Sequence, residues 1–176
     1  NLELKEVLED RFSFGGILGC NHQMRALLEK IKLVAATDSP VSIVGERGTG
    51  KELVAHAIHL NSPRRDQPLI KVCCADLPEA LLEAELFGHE KGAFPGALRQ
   101  RRGRFELAHK GTLLIDDIDA VSPNVQARVW RVLQNRRFER VGGREHSEVD
   151  VRIVCATKED LKGMAHQGRI HQELSD

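Results

Sequence analysis

Tyrosine is absent from the 176 residues, and aromatic side chains together make up 4%. A surface that stacks unpaired bases needs such rings, so single-stranded nucleic-acid binding is poorly supplied. Charge of one sign is missing as well. Twenty-six basic side chains balance 26 acidic ones, which removes the net field expected of a nucleic-acid or membrane-surface binder. No apolar run approaches the ~20 residues that cross a bilayer, and no secretory leader pattern opens the chain. The four cysteines, Cys20, Cys73, Cys74 and Cys155, lack CxxC spacing and read as reduced, mostly buried thiols of a cytosolic protein. Cys73 and Cys74, neighbours on one expected strand, would point to opposite faces.

What is present is a patterned chain of one-domain length, 41% hydrophobic and 30% charged. Residues 1–15 read as a charged connecting helix broken by glycines, and residues 16–176 as the core. Asn21 caps a helix carrying Met24, Leu27, Leu28, Ile31 and Val34 at helical spacing. Strands are expected at 41–45, 69–74, 111–116 and 149–157, with helices between them. The helix after the first strand would bury Leu53, Val54, Ala57 and Ile58; Asp76 would cap the next, running through Leu81, Leu82 and Leu86 to Gly88. Ser122 with Pro123 starts a helix packing Val125, Val129, Val132 and Leu133. A hairpin is expected around Gly142 and Gly143, and a short helix from Lys158 or Glu159. Alternating strands and helices imply an α/β fold with a parallel sheet sandwiched by helices.

Chemistry concentrates in Gly45–Glu46–Arg47–Gly48–Thr49–Gly50–Lys51, a full match to GxxxxGK between an expected strand and an expected helix. Glycines let backbone amides converge on phosphate oxygens, the helix start adds its positive end, and Lys51 supplies a mobile charge. Glu52 follows where the common pattern has Ser or Thr. Such a loop calls for a second apolar strand ending in acid, and LLIDD (113–117) supplies it: Asp116 to hold Mg²⁺ through water, Asp117 to face the attacking water.

These stretches, with LLEAELFGHEKGAFPGA (81–97), GRFELAHKGTLLIDDID (103–119), RVLQNRRFERVGG (131–143) and VDVRIVCAT (149–157), resemble the AAA+ ATPase domain of bacterial enhancer-binding proteins, the sigma-54-type transcription activators. The resemblance implies ATP with Mg²⁺ as cofactors. The nucleotide would lie against Gly45, Glu46, Gly48, Thr49, Gly50, Lys51, Glu52, Ile17 and Leu18, with Thr157 as a sensor. It implies a hexameric ring, RNA polymerase with its sigma factor as partner, and DNA contact through a helix-turn-helix outside this segment. The helical lid and last strand would lie beyond Asp176. In that family Lys-Glu ends the loop, so Glu52 is expected, and a GAFTGA loop grips sigma-54.

Four departures from the family pattern fall on its working parts. The loop here is Gly92, Ala93, Phe94, Pro95, Gly96, Ala97, with proline in place of threonine, which removes a hydroxyl and an amide donor and fixes φ. Asp117 replaces a glutamate and is one methylene shorter; a misplacement of ~1 Å costs on the order of 10²-fold in rate. Cys73 replaces an asparagine that bonds that glutamate. His171 stands at the arginine-finger position, a group worth ~10³ to 10⁵ in rate. The expectation is therefore binding kept and turnover weak or lost. An active ATPase remodelling sigma-54 polymerase, and a cyclic-dinucleotide sensor using nearby arginines, stand as alternatives.

Elsewhere the sequence reads as ordinary surface. Arg99, Arg101, Arg102 and Arg104 read as a solvated run, His56 and His59 as a solvated helix face, NSPRRDQP (61–68) as a polar loop, and Glu79, Glu83 and Glu85 as the polar side of their helix.

Overall fold

The computed structural model describes Ile17 and residues 21–159. The connecting helix expected over 1–15, Cys20 and the chain after Glu159 lie outside the described residues. Four parallel strands, β1 (Val41–Val44), β2 (Leu69–Cys73), β3 (Thr112–Asp116) and β6 (Arg152–Thr157), form one sheet in the order β1-β6-β3-β2. A two-stranded antiparallel hairpin, β4 (Arg137–Glu139) with β5 (His146–Glu148), stands apart from it, where Gly142 and Gly143 mark its turn. The helices are α1 (His22–Ala35), α2 (Lys51–Leu60), α3 (Glu79–Phe87), α4 (Arg104–Leu107) and α5 (Pro123–Asn135).

The strands' two-residue period separates the helical layers. Leu113, Ile115, Ile153 and Cys155 pack into one cluster with Leu82, Leu86, Phe87, Phe105, Val125 and Val129. Leu114, Val154 and Ala156, from the alternate positions, pack with Ala55 of α2 on the other face. Central strands β3 and β6 are therefore apolar on both faces, as parallel strands must be. Helix starts follow their sequence signals: Asn21 Oδ1 accepts the Met24 amide at 2.7 Å, and Ser122 caps α5 ahead of Pro123.

Several expectations change. Strand β2 ends at Cys73, and Cys74 opens a 3₁₀ turn (Cys74–Asp76) that buries its thiol in the main cluster. Asp76 closes that turn instead of capping α3, which starts behind Pro78 without a side-chain cap. Leu53 and Leu81 lie 46% and 48% exposed, because Ala55 and Leu82 take the inward positions. Lys158 and Glu159 form a bend, and the rest of the short helix expected there lies outside the described residues. The arginine run is partly tied down: Arg101 and Arg104 both reach Glu85 at 3.0 Å, and Glu83 holds Arg128 at 2.6 Å.

Three polar side chains expected on the surface, or not singled out, turn out to be structural. Arg64, in the loop after α2, donates to Asp38 Oδ2 at 2.5 Å, Asp150 Oδ1 at 2.7 Å and the carbonyls of Gly111 and Asp150. Arg152, buried on β6, donates to the Val34 and Ala35 carbonyls at the end of α1, where unpaired carbonyls favour a cation. His59 is buried, its Nδ1 2.9 Å from Thr112 Oγ1.

Replacing Arg64 with alanine leaves Asp38 without its cation, removes one of the two arginines on Asp150 and one donor from each of two carbonyls, and should cost about 2–3 kcal/mol in urea unfolding. Burial pushes the His59 pKa below its ordinary 6.5, with the charges of His56 and Arg152 adding to it, against a bond from the ring to the Gln67 backbone that favours the proton. The folded chain thus holds this imidazole neutral while the unfolded chain takes up a proton near its ordinary value. Its stabilising contribution is complete above that value and declines as pH falls below it. Urea midpoints at neutral and mildly acidic pH should show a smaller acid-side loss for His59→Gln than for the native chain; equal losses would assign the slope elsewhere.

Candidate nucleotide site

The glycine loop, Asp116, Asp117 and Thr157 all lie at the carboxyl ends of their strands. There β1 is followed by a crossover to the far-edge strand β2, the position where open α/β sheets bind ligands. β1 is held to β6 by the pair Val44 and Thr157, and the Gly45 amide then donates to the Thr157 carbonyl at 3.1 Å. This bond fixes where the glycine loop begins. Gly48 and Gly50 take φ of 81° and 88°, the left-handed region that lets the loop double back before α2. Thr49 Oγ1 donates to the Glu46 carbonyl at 2.8 Å and braces the bend. The amides of Glu46, Arg47, Gly48 and Gly50 have no hydrogen-bond partner among the described residues. Those amides, together with the orphan N–H groups of the first turn of α2, make a concentrated donor set.

Lys51 arches back over the loop, its Nζ donating to the carbonyls of Gly45 at 2.8 Å and Glu46 at 2.9 Å. Ile17 packs with Ile31, Ala57 and Ile58 beside α2. Leu18 and His171 lie outside the described residues.

Asp116 ends β3, in register with Cys73 on one side and Ala156 on the other. Its side chain is 24% exposed and takes one hydrogen bond, from the next amide, Asp117 N, to Oδ1 at 3.1 Å. Asp117 adopts a left-handed φ of 54°, which aspartate tolerates, and its amide also donates to the Ala156 carbonyl. The Asp117 carboxylate is buried, with Lys158 Nζ 3.5 Å from Oδ1. Thr157 is fully buried between these groups, its hydroxyl donating to the Glu159 carbonyl. Burial pushes the Cys73 thiol up from its ordinary range, with Asp76 adding to the shift, so it stays protonated. Lys71 was not singled out in the sequence, yet its ammonium is 2.7 Å from Glu52 Oε2 and 3.9 Å from Asp116 Oδ2. A lysine inside the otherwise apolar LIKVC was the available signal.

The GAFPGA segment is folded down. The Ala97 amide donates to the Phe94 carbonyl at 3.0 Å, with Pro95 and Gly96 at the corner and Gly96 at φ 100°. That is the pattern of a type II turn, which prefers proline then glycine. A second turn, Ala93 N to Glu90 O with Gly92 at φ 82°, precedes it, and Gly92 N to Ala97 O at 2.8 Å closes the pair. The Phe94 ring packs edge-on to His89 at 4.9 Å, and Glu90 is clamped by Arg140 and Gln100.

Comparison with known proteins agrees with this geometry. A family described as Sigma-54 interaction domain matches residues 17–175. The chain belongs to the sigma-54 interaction domain family. It is 49% identical to the Nif-specific regulatory protein of Azotobacter vinelandii over 98% of this chain and 33% of that protein. The chain thus spans about a third of the length of such relatives. Among solved structures it is similar to NtrX from Brucella abortus in complex with ATP, with 36% identity, TM-score 0.81 and coverage of 98% of this chain and 39% of that one. A P-loop NTPase domain from a sigma-54 activator of E. coli, at 16% identity and TM-score 0.59 over 89% of each chain, shares the fold. The core is therefore a P-loop NTPase fold, a parallel sheet flanked by helices.

For a family member whose loop corner is Pro95–Gly96, the corner is stiffened through the reference state as well as the fold. Pro95→Thr should lower stability by about 0.5–1 kcal/mol and speed amide exchange at Gly92 and Ala97. Unchanged exchange would show that proline does not set the loop's rigidity.

Proposed function

We propose that this chain is the nucleotide-holding core of a bacterial enhancer-binding transcription activator, with ATP at the glycine loop, slow turnover and a weakened drive on sigma-54. The observation that carries the reading is the set of unpaired amides between Glu46 and Gly50 with the Lys51 ammonium arched over them. Four unpaired amides, a helix start and a mobile cation suit a chain of phosphates. In the NtrX structure of similar fold, ATP is bound.

The donor set at the strand ends suits Mg²⁺. Asp116 offers a hard carboxylate with lone pairs to spare, as a hydrated magnesium ion requires. Bound there, the ion would neutralise phosphate charge. Asp117 would orient the attacking water, and Thr157, anchored to the loop through the Gly45 amide, would sense the phosphate end.

Slow turnover follows from the same residues. Asp117 is short, buried and next to Lys158, which holds it toward the strand end. Cys73 places a protonated thiol, a weak hydrogen-bond partner, opposite Asp116 where the family pattern has an amide. The Pro95–Gly96 turn opposes the restacking that would let Gly92–Ala97 engage sigma-54. His171 at the finger position would add little charge. In the whole protein we expect a ring of copies, polymerase as partner, DNA contact through a separate domain, a connecting helix at 1–15 and a lid supplied after residue 176.

The test is paired measurement on the full-length protein: affinity for a fluorescent ATP analogue and the rate of phosphate release. Lys51→Ala should abolish binding. Asp117→Glu should raise turnover by about 10- to 100-fold. Rapid phosphate release by the native protein would overturn the slow-turnover half and favour an active remodelling ATPase; absence of binding would overturn the whole reading.

A further inference from the structure

Lys71 is the third residue of β2, and the strand's alternation places it with Leu69 and Cys73 on the face covered by α2. Asp116 shares that face through its register with Cys73. Glu52, in the first turn of α2, approaches from above. The Lys71 ammonium bridges the two acids, 2.7 Å from Glu52 Oε2 and 3.9 Å from Asp116 Oδ2. Thus the position after Lys51, and the strand-end carboxylate suited to magnesium, already share a protein-borne cation.

Charge makes this arrangement consequential. Glu52, Asp116 and Asp117 crowd three carboxylates at the edge where a polyanion would dock, and each repels it. Lys158 stands against Asp117 and Lys51 serves the loop, which leaves the Glu52–Asp116 side to Lys71 alone among the described residues. Glu52 holds the Lys71 ammonium above the ordinary lysine range, so it stays charged at all relevant pH. At 39% exposed it is reachable, and its flexible stem carries three donors, of which Glu52 engages one.

We infer that Lys71 is a resident counter-cation of the nucleotide site that lets the loop hold a nucleoside triphosphate with little dependence on divalent metal. The inference rests on the nucleotide-holding reading above. It assigns Lys71 a positioning role in binding, with Mg²⁺ reserved for the cleavage step.

The experiment is titration of full-length protein with a fluorescent ATP analogue, in saturating Mg²⁺ and in EDTA. Native protein should bind with affinities within about threefold in the two buffers. Lys71→Met should keep its affinity in Mg²⁺ but lose about tenfold or more in EDTA, as expected for a charge removed a few ångströms from phosphate. Lys71→Arg should behave like the native protein, which separates charge from packing. A native protein that loses most of its affinity in EDTA, or a Lys71→Met protein whose ratio matches the native one, overturns this inference and leaves the nucleotide-holding reading standing. Failure of native protein to bind in either buffer removes that reading, and this inference with it.

Discussion

The pairing of β1 with β6 under the glycine loop is the constraint on which the site depends. It ends in one hydrogen bond, from the Gly45 amide to the Thr157 carbonyl. Because that bond fixes the first residue of the loop, the amides of Glu46, Arg47, Gly48 and Gly50 are left without a partner among the described residues, and Lys51 begins α2 within reach of the carbonyls it spans. β6 also lies beside β3, so the same strand sets the distance from the loop to Asp116 and Asp117. A slip of β6 by one residue would turn Thr157 to the wrong face and separate the loop from its acids.

The loop and the acidic strand end were legible in the sequence because their chemistry is local: glycines, a lysine and two aspartates within a few residues of the strands that carry them. The strand order was inferable in kind, since alternating strands and helices demand a parallel sheet. What stayed hidden depends on partners far along the chain. Arg64 meets Asp150, 86 residues away, and Arg152 meets Val34 at a separation of 118. No periodicity reports such pairings, so Arg64 read as surface and Arg152 passed unremarked within its strand. His59 misled for a related reason. Its helix face is polar by composition, but the loop leading to β2 covers it and Thr112 supplies a hydroxyl. Lys71 lay between: a charged residue at the centre of an apolar strand signals an inward partner, without saying which.

The GAFPGA segment shows how one residue changes what a sequence specifies. Proline was expected to impair a mobile loop, and the geometry adds the reason. Its fixed φ and missing amide suit the first corner of a type II turn, and Gly96 suits the second. Local preference and observed conformation agree, and that agreement deepens the folded-down state relative to any lifted one. The clamp of Arg140 on Glu90 and Glu106 acts in the same direction from the base.

Arg152 and Thr157 are the two ends of a single strand six residues long, about 17 Å from tip to tip. At one end the guanidinium grips the last carbonyls of α1; at the other the backbone carries the glycine loop. β6 is buried along its whole length and paired on both sides, so the end of α1 and the start of the glycine loop are fastened to one central strand.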